Sequence, residues 1–130
     1  MYDEELLERG IHPKYKGALA GVKPAKLFNL SCGDELVVYL KIRAGKIADG
    51  RWDGKGCAIS LASADFFIES VIGKTLGEAR RMSEEFSKMI LSEKYDEKIL
   101  GKMKAMACVS RMPARANCAK LALKSLENIK

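Results

Sequence analysis

Glu35-Leu36-Val37-Val38-Tyr39-Leu40-Lys41-Ile42-Arg43, then Ala44-Gly45-Lys46, then Ile47-Ala48-Asp49-Gly50-Arg51-Trp52-Asp53, is the stretch on which the reading of the fold turns. Leu36, Val38, Leu40 and Ile42 alternate with Val37, Tyr39, Lys41 and Arg43, the two-residue period of a strand. Ala44-Gly45-Lys46 supplies a tight turn. Ile47 to Asp53 returns as the paired strand, with Ala48, Gly50 and Trp52 on one face. Antiparallel pairing brings the residues before the first strand next to those after the second. Those residues are Asn29-Leu30-Ser31-Cys32-Gly33-Asp34 and Gly54-Lys55-Gly56-Cys57-Ala58-Ile59-Ser60. Two thiols and a carboxylate are thereby joined by local geometry alone.

Around the hairpin the chain reads as helical. Residues 2–9 form a short amphipathic helix that Pro13 and Gly17 terminate. Residues 18–28 are small and mixed, contain Pro24, and hold at most a short edge strand. Ala58 to Ile72 is a helix apolar over most of its circumference, hence largely buried, with Cys57 at or next to its N-cap. Helix-terminal N–H groups and the helix dipole favour a thiolate there. Gly73 ends this helix, and Thr75-Leu76-Gly77-Glu78 is a capping box for the next, which runs to about Leu91. Arg80 with Glu84 and Arg81 with Glu85 have the spacing of exposed ion pairs. A third helix is expected from Asp96 to Val109, and Pro113 opens the last one. The order of short helix, hairpin and four helices predicts an α+β domain: a small antiparallel sheet covered by helices.

The length of 130 residues predicts one domain spanning 1–130, with a core that needs no disulfides. No apolar run approaches the roughly 18 residues of a membrane span. Met1-Tyr2-Asp3-Glu4-Glu5 is acidic and is no secretion signal, so the expected location is the cytoplasm. Four cysteines in that compartment read as thiols, metal ligands or sulfur carriers. Their spacing is that of neither a zinc ribbon nor a thioredoxin site. The net charge of +6 sits in residues 101–130, where seven basic residues face Glu127 alone. That segment holds no aromatic residue for base stacking, which disfavours a nucleic-acid role.

A third cysteine lies far along the chain, in Met112-Pro113-Ala114-Arg115-Ala116-Asn117-Cys118-Ala119. Cys32, Asp34, Cys57 and Cys118, each near a backbone-shaping Gly or Pro, point to one metal site assembled from three distant segments. Thiolates suit zinc and iron–sulfur clusters alike, and a carboxylate among them makes the site labile. Arg115, three residues before Cys118, is placed to favour a thiolate or to hold an anionic group. His12, the only histidine, stands in a Pro loop, a poor position for the base of a cysteine hydrolase. Cys108 reads as a helical thiol outside the site, with the alternative of a spare sulfur acceptor.

Asn29-x-x-Cys32-Gly33-Asp34, Gly54-x-Gly56-Cys57-Ala58-Ile59-Ser60-x-Ala62-Ser63-Ala64 and Pro113-x-Arg115-x-x-Cys118-Ala119-x-Leu121 together resemble the U-type iron–sulfur scaffold family. This is the group of IscU, SufU and the NifU N-terminal domain. The resemblance also takes in His12-Pro13-x-x-x-Gly17 and runs from about residue 11 to about residue 123. It implies a three-stranded sheet with helices packed on one side. It implies Cys32, Cys57 and Cys118 as ligand cysteines and Asp34 as the acidic ligand, for a transient 2Fe-2S cluster or a zinc ion. Cys57 and Cys118 become the candidate sulfur acceptors, assisted by Arg115. The implied partners are a cysteine desulfurase and apo iron–sulfur acceptor proteins, with no membrane and with homo-oligomerisation open. The implied role is a scaffold rather than a turnover enzyme. The alternative is a zinc-dependent persulfide acceptor that activates a desulfurase. Asn117 stands where one subgroup has His, and 60 residues separate Cys57 from Cys118. That long gap is closest to the SufU-like branch.

Overall fold

Ala44 and Gly45 take positive φ angles of 54° and 76°, so the hairpin closes through a two-residue type I′ turn, whose twist matches that of the strands it joins. The computed structural model describes residues 3–129, Asn128 by its backbone only. Tyr2, expected to begin the first helix, lies outside them. The hairpin strands are β2 (Asp34–Arg43) and β3 (Lys46–Lys55), and β1 (Ala25–Asn29) pairs antiparallel with β2. The sheet order is β1-β2-β3. The short edge strand allowed by residues 18–28 is thus real.

One irregularity separates the hairpin from the simple alternation. The register slips between Lys41 and Ile42, which pair with Asp49 and Ile47. Ala48 is the extra residue, and such a bulge reverses the facing of the residues beyond it. Ile47 and Gly50 are therefore both buried, while Ala48, expected beside Gly50 and Trp52, is exposed. Ile42, next to the turn, is 38% exposed.

The covered face of the sheet, with Leu36, Val38 and Trp52, meets α2 (Ala58–Val71) and the C-terminal segment. Helix α2 is buried nearly all round, as its apolar circumference predicts. Removing Phe66, Phe67 and Ile68 from water contributes about 1.5–3 kcal/mol each. It also buries Asp65 completely. That carboxylate accepts from Arg9 (3.2 Å), Trp52 Nε1 (2.9 Å) and the N–H groups of Lys14 (3.0 Å) and Tyr15 (2.8 Å). Arg9 belongs to α1 (Glu4–Ile11) and also pairs with Glu69 at 2.5 Å. One buried acid therefore ties α1, the His12–Gly17 loop and β3 to α2.

Helix α3 (Leu76–Ile90) starts in the capping box that Thr75 and Glu78 form, and the Glu78 carboxyl is held below its usual range by hydrogen bonds from Thr75. Arg81 approaches Glu85 at 3.8 Å. Arg80 instead donates to the carbonyls of Leu126 (3.4 Å) and Ile129 (2.6 Å), tying the C-terminal segment to α3.

The final third departs from the expected long helices. Helix α4 (Glu97–Leu100) is a single turn, stopped by Gly101 at φ 54°. The chain continues as 3₁₀ helix over Gly101–Arg111 and Pro113–Arg115, winds as α5 (Ala116–Lys120), and ends in 3₁₀ form over Ala122–Asn128. Leu100, Met103, Met106 and Val109 are all buried. Their spacing of three keeps one face inward in a 3₁₀ helix, whereas an α-helix would rotate each successive residue by about 60°.

Ala44 adopts a backbone conformation that costs an L-residue with a plain methyl side chain, and Asn tolerates it. Ala44→Asn is expected to raise unfolding stability by about 1 kcal/mol, read as an increased denaturant midpoint at unchanged slope.

Candidate metal centre

Strand pairing places the first components. Asn29, the last residue of β1, pairs with Asp34, the first of β2, so residues 30–33 form the connecting turn at that end of the sheet. Cys32 N–H closes the turn onto Asn29 O at 3.3 Å. Glu35 pairs with Lys55, and two residues later Cys57 is the N-cap of α2. Gly54 and Gly56 permit this approach. A Cβ at Gly54 would strike the Glu35 carbonyl, and one at Gly56 would strike Ser60 Oγ and lie 2.6 Å from Asp34 Oδ1.

Asp34 is 1% exposed, and protein donors surround its carboxylate. Oδ1 accepts from Cys57 N–H at 2.9 Å and Ser60 Oγ at 3.2 Å, and Oδ2 from Asn29 Nδ2 at 3.2 Å. The acid therefore serves as the N-cap partner that the thiol of Cys57 does not supply.

Cys118 arrives on α5. Ser63 Oγ, on the second turn of α2, donates to Ala119 O at 2.5 Å and fixes α5 against α2. The Cys118 sulfur lies 3.1 Å from Cys32 Sγ, toward which its thiol donates, and it accepts from Asn29 Nδ2 at 3.4 Å. Ligand atoms of Cys32, Asp34 and Cys118 all fall within 4.8 Å of one another, a spacing that suits a single metal ion. Cys57 stands at the edge of this group. Its thiol faces Ser60 Oγ at 3.8 Å, and its backbone N–H holds Asp34.

The three thiols are not equivalent. Cys118 is fully buried, whereas Cys32 and Cys57 are half-buried. Burial first, then hydrogen bonds with Cys32 and Asp34 and the charge of Cys57, push the Cys118 thiol far above its ordinary range. Arg115 Nη1 lies 3.4 Å from Cys32 Sγ. Its cation thus reaches a cysteine 83 residues away in the chain.

Other sequence-derived candidates fall elsewhere. Asn117 is exposed, His12 is the exposed C-cap of α1, and Cys108 packs half-buried against the core. Neither His12 nor Cys108 joins the metal-capable group among the described residues. Sequence reasoning gave no role to Asn29 or Ser60. The available signals were the Asn-x-x-Cys spacing and the serine one turn beyond Cys57.

The profile of the NifU-like N terminal domain matches residues 1–119. The chain belongs to that family. It is 37% identical over 130 residues to the "Iron-sulfur cluster assembly scaffold protein IscU" of Thermotoga maritima, covering 98% of this chain and 90% of that one. It is 34% identical over 128 residues to the "Zinc-dependent sulfurtransferase SufU" of Bacillus subtilis, covering 98% and 87%. A crystal structure of a candidate SUF-system cluster assembly scaffold from Fervidobacterium islandicum superposes with a TM-score of 0.92 at 37% identity, covering 98% and 94%. The α+β fold expected from the sequence, a three-stranded antiparallel sheet with helices, is thus the fold of NifU-like relatives. Among the described residues, no helix of this NifU-like chain is long and apolar enough to cross a membrane.

The geometry sets two expected outcomes. In metal-free protein at pH 8, iodoacetamide is expected to label Cys32 and Cys57 well before Cys118, because only the thiolate reacts. Peptide mass spectrometry checks the order, and Cys118 labelling at the rate of Cys57 would contradict it. Gly56→Ala is expected to displace the Asp34 carboxylate, lower stability by about 1–3 kcal/mol and weaken metal retention, as read by denaturant unfolding and by chelator competition.

Proposed function

We propose that this NifU-like protein is an iron–sulfur cluster assembly scaffold. It takes sulfur from a cysteine desulfurase, assembles a 2Fe-2S cluster on Cys32, Asp34, Cys57 and Cys118, and passes it to apo-proteins in the cytoplasm. Residues 1–130 act as one domain in this role. The observation that carries the reading is the meeting of Cys32, Asp34 and Cys118 within 4.8 Å, from segments separated by more than 80 residues of chain. Cys57 adds a third thiol at their edge, backed by the N-terminus of α2. Three soft donors and one hard oxygen suit a cargo that has to leave again. Cys57 and Cys118 are the proposed sulfur acceptors, and Arg115 the cation that steadies the sulfur charge. The cluster is cargo, and the desulfurase and the acceptors are partners.

A second reading is favoured by one observation, the likeness to the Bacillus subtilis protein named as a zinc-dependent sulfurtransferase. Thiolates and a carboxylate are equally a zinc donor set. In that reading zinc resides at the same four residues, and the protein relays persulfide sulfur.

Elemental analysis and an absorption spectrum of protein purified without oxygen separate the two. Visible thiolate-to-iron absorption after anaerobic incubation with desulfurase, cysteine, ferrous iron and a dithiol reductant, which supplies the electrons that turn persulfide sulfur into sulfide, is expected for the scaffold. A colourless protein with stoichiometric zinc and no cluster under those conditions would establish the second reading instead. Asp34→Ala is the decisive variant. As a scaffold it is expected to acquire a cluster on the three cysteines and transfer it to an apo-ferredoxin more slowly than wild type. As a zinc protein it is expected to lose zinc to a chelator sooner. An Asp34→Ala protein unchanged in both assays would remove Asp34 from the ligand set.

A further inference from the structure

Asn29 occupies a position that neither the ligand set nor the fold accounts for. Its side chain is half-buried, and its amide nitrogen is shared between Asp34 Oδ2 at 3.2 Å and Cys118 Sγ at 3.4 Å. Its amide oxygen accepts from Ser31 Oγ at 2.9 Å. The orientation of the amide is fixed by chemistry. Rotated by half a turn, its oxygen would confront a carboxylate oxygen and a sulfur whose proton is directed at Cys32. Asn29 therefore presents only N–H groups to the centre, and its one ligating atom is turned away and engaged.

Two consequences arise for the neighbours. The Asp34 carboxylate is held at both ends, Oδ1 by α2 through Cys57 N–H and Ser60, and Oδ2 by β1 through Asn29. Without the amide only one end is fixed, and the carboxylate can turn about its terminal torsion. The Cys118 sulfur accepts an N–H bond, which draws electron density from the lone pair that a metal would share. Buried sulfur beside a carboxylate otherwise has little to stabilise a negative charge.

We propose that Asn29 is a positioning residue of the metal centre: its amide nitrogen holds Asp34 and Cys118 in the orientation that receives a metal, and its N–H bond to Cys118 tunes that sulfur. This rests on the reading of Cys32, Asp34, Cys57 and Cys118 as metal ligands. Partners that orient ligands in this way typically contribute about 10- to 100-fold in metal affinity.

The test uses the full chain, stripped of metal, with cobalt(II) and zinc as probes. Cobalt(II) bound by thiolates gives a charge-transfer band whose energy reports the sulfur lone pair, and zinc affinity is read by competition with a chromophoric chelator. Asn29→Ala is expected to weaken zinc binding by about 10- to 100-fold and to move the cobalt band to longer wavelength, because the sulfur loses its N–H bond. Asn29→Asp keeps the volume but removes the donor, and is expected to lose at least as much affinity. A space-filling role would leave Asn29→Asp near wild type and the band unmoved. If Asn29→Ala does not fold, Ser31→Ala provides the readout: it frees the amide and is expected to give a smaller loss in the same direction. Unchanged affinity and unchanged band position in folded variants would overturn the role of Asn29 while leaving the metal reading intact. A wild-type protein that shows no thiolate-to-cobalt band overturns the metal reading, and this inference with it.

Discussion

A carboxylate taken out of water must be given donors, and Asp34 meets that requirement by drawing separate parts of the chain to one point. Its oxygens accept from the end of β1, from the N-cap of α2 and from the first turn of that helix. Burial of the charge without them would be costly, so the turn at residues 30–33, the Gly54-x-Gly56 approach and the placement of α2 are fixed together. The same arrangement brings Cys32 and Cys57 to the acid on either side. Fold and candidate site thus share a residue. Any ligand that recruits the Asp34 carboxylate competes with hydrogen bonds that hold the helix in place.

Helix α2 carries the opposite end of this constraint. Asp65, two turns along, repeats the arrangement with α1, the His12–Gly17 loop and Trp52 as its donors. Arg9 forms the ion pair with it and is itself held by lying 4.4 Å above the Phe66 ring. A helix buried all round has no solvated face to set its rotation, because hydrophobic contact is non-directional. Two buried acids, Asp34 of β2 at the helix N-terminus and Asp65 on the helix itself, supply the direction. Together they aim Cys57 at the end of the sheet, and Ser63 between them positions α5 and so Cys118.

How much of the fold was legible in the sequence depends on how local each signal is. The hairpin, α2 and the Thr75–Glu78 capping box depend on periods and caps contained within a few residues, and each formed as expected. The bulge at Ala48 was hidden because it leaves no compositional mark: an extra residue in a strand changes facing, not hydrophobicity. The 3₁₀ winding after Gly101 was visible in principle in the spacing of Met103, Met106 and Val109, which suits three residues per turn better than 3.6. The residue types of the candidate metal centre were legible from their motifs. The approach of Arg115 to Cys32, and the roles of Asn29 and Ser60, depend on tertiary approach across as many as 89 residues, and no spacing rule encodes that.

The three thiols differ in a way that orders events at the proposed centre. Cys32 and Cys57 are half-buried, one facing a guanidinium and the other capping a helix. Cys118 is buried, and its surroundings keep its proton. A metal or sulfur species entering from solvent therefore meets Cys32 and Cys57 first, and Cys118 becomes a ligand only by releasing a proton. Ligation there exchanges existing interactions for new ones: the 3.1 Å contact with Cys32 is given up, and the Asp34 carboxylate is drawn on while three protein donors still claim it. Each exchange subtracts from the gain of binding. A centre built this way closes around a cargo without holding it at the full strength of four free ligands, the property that the transfer step of a scaffold requires.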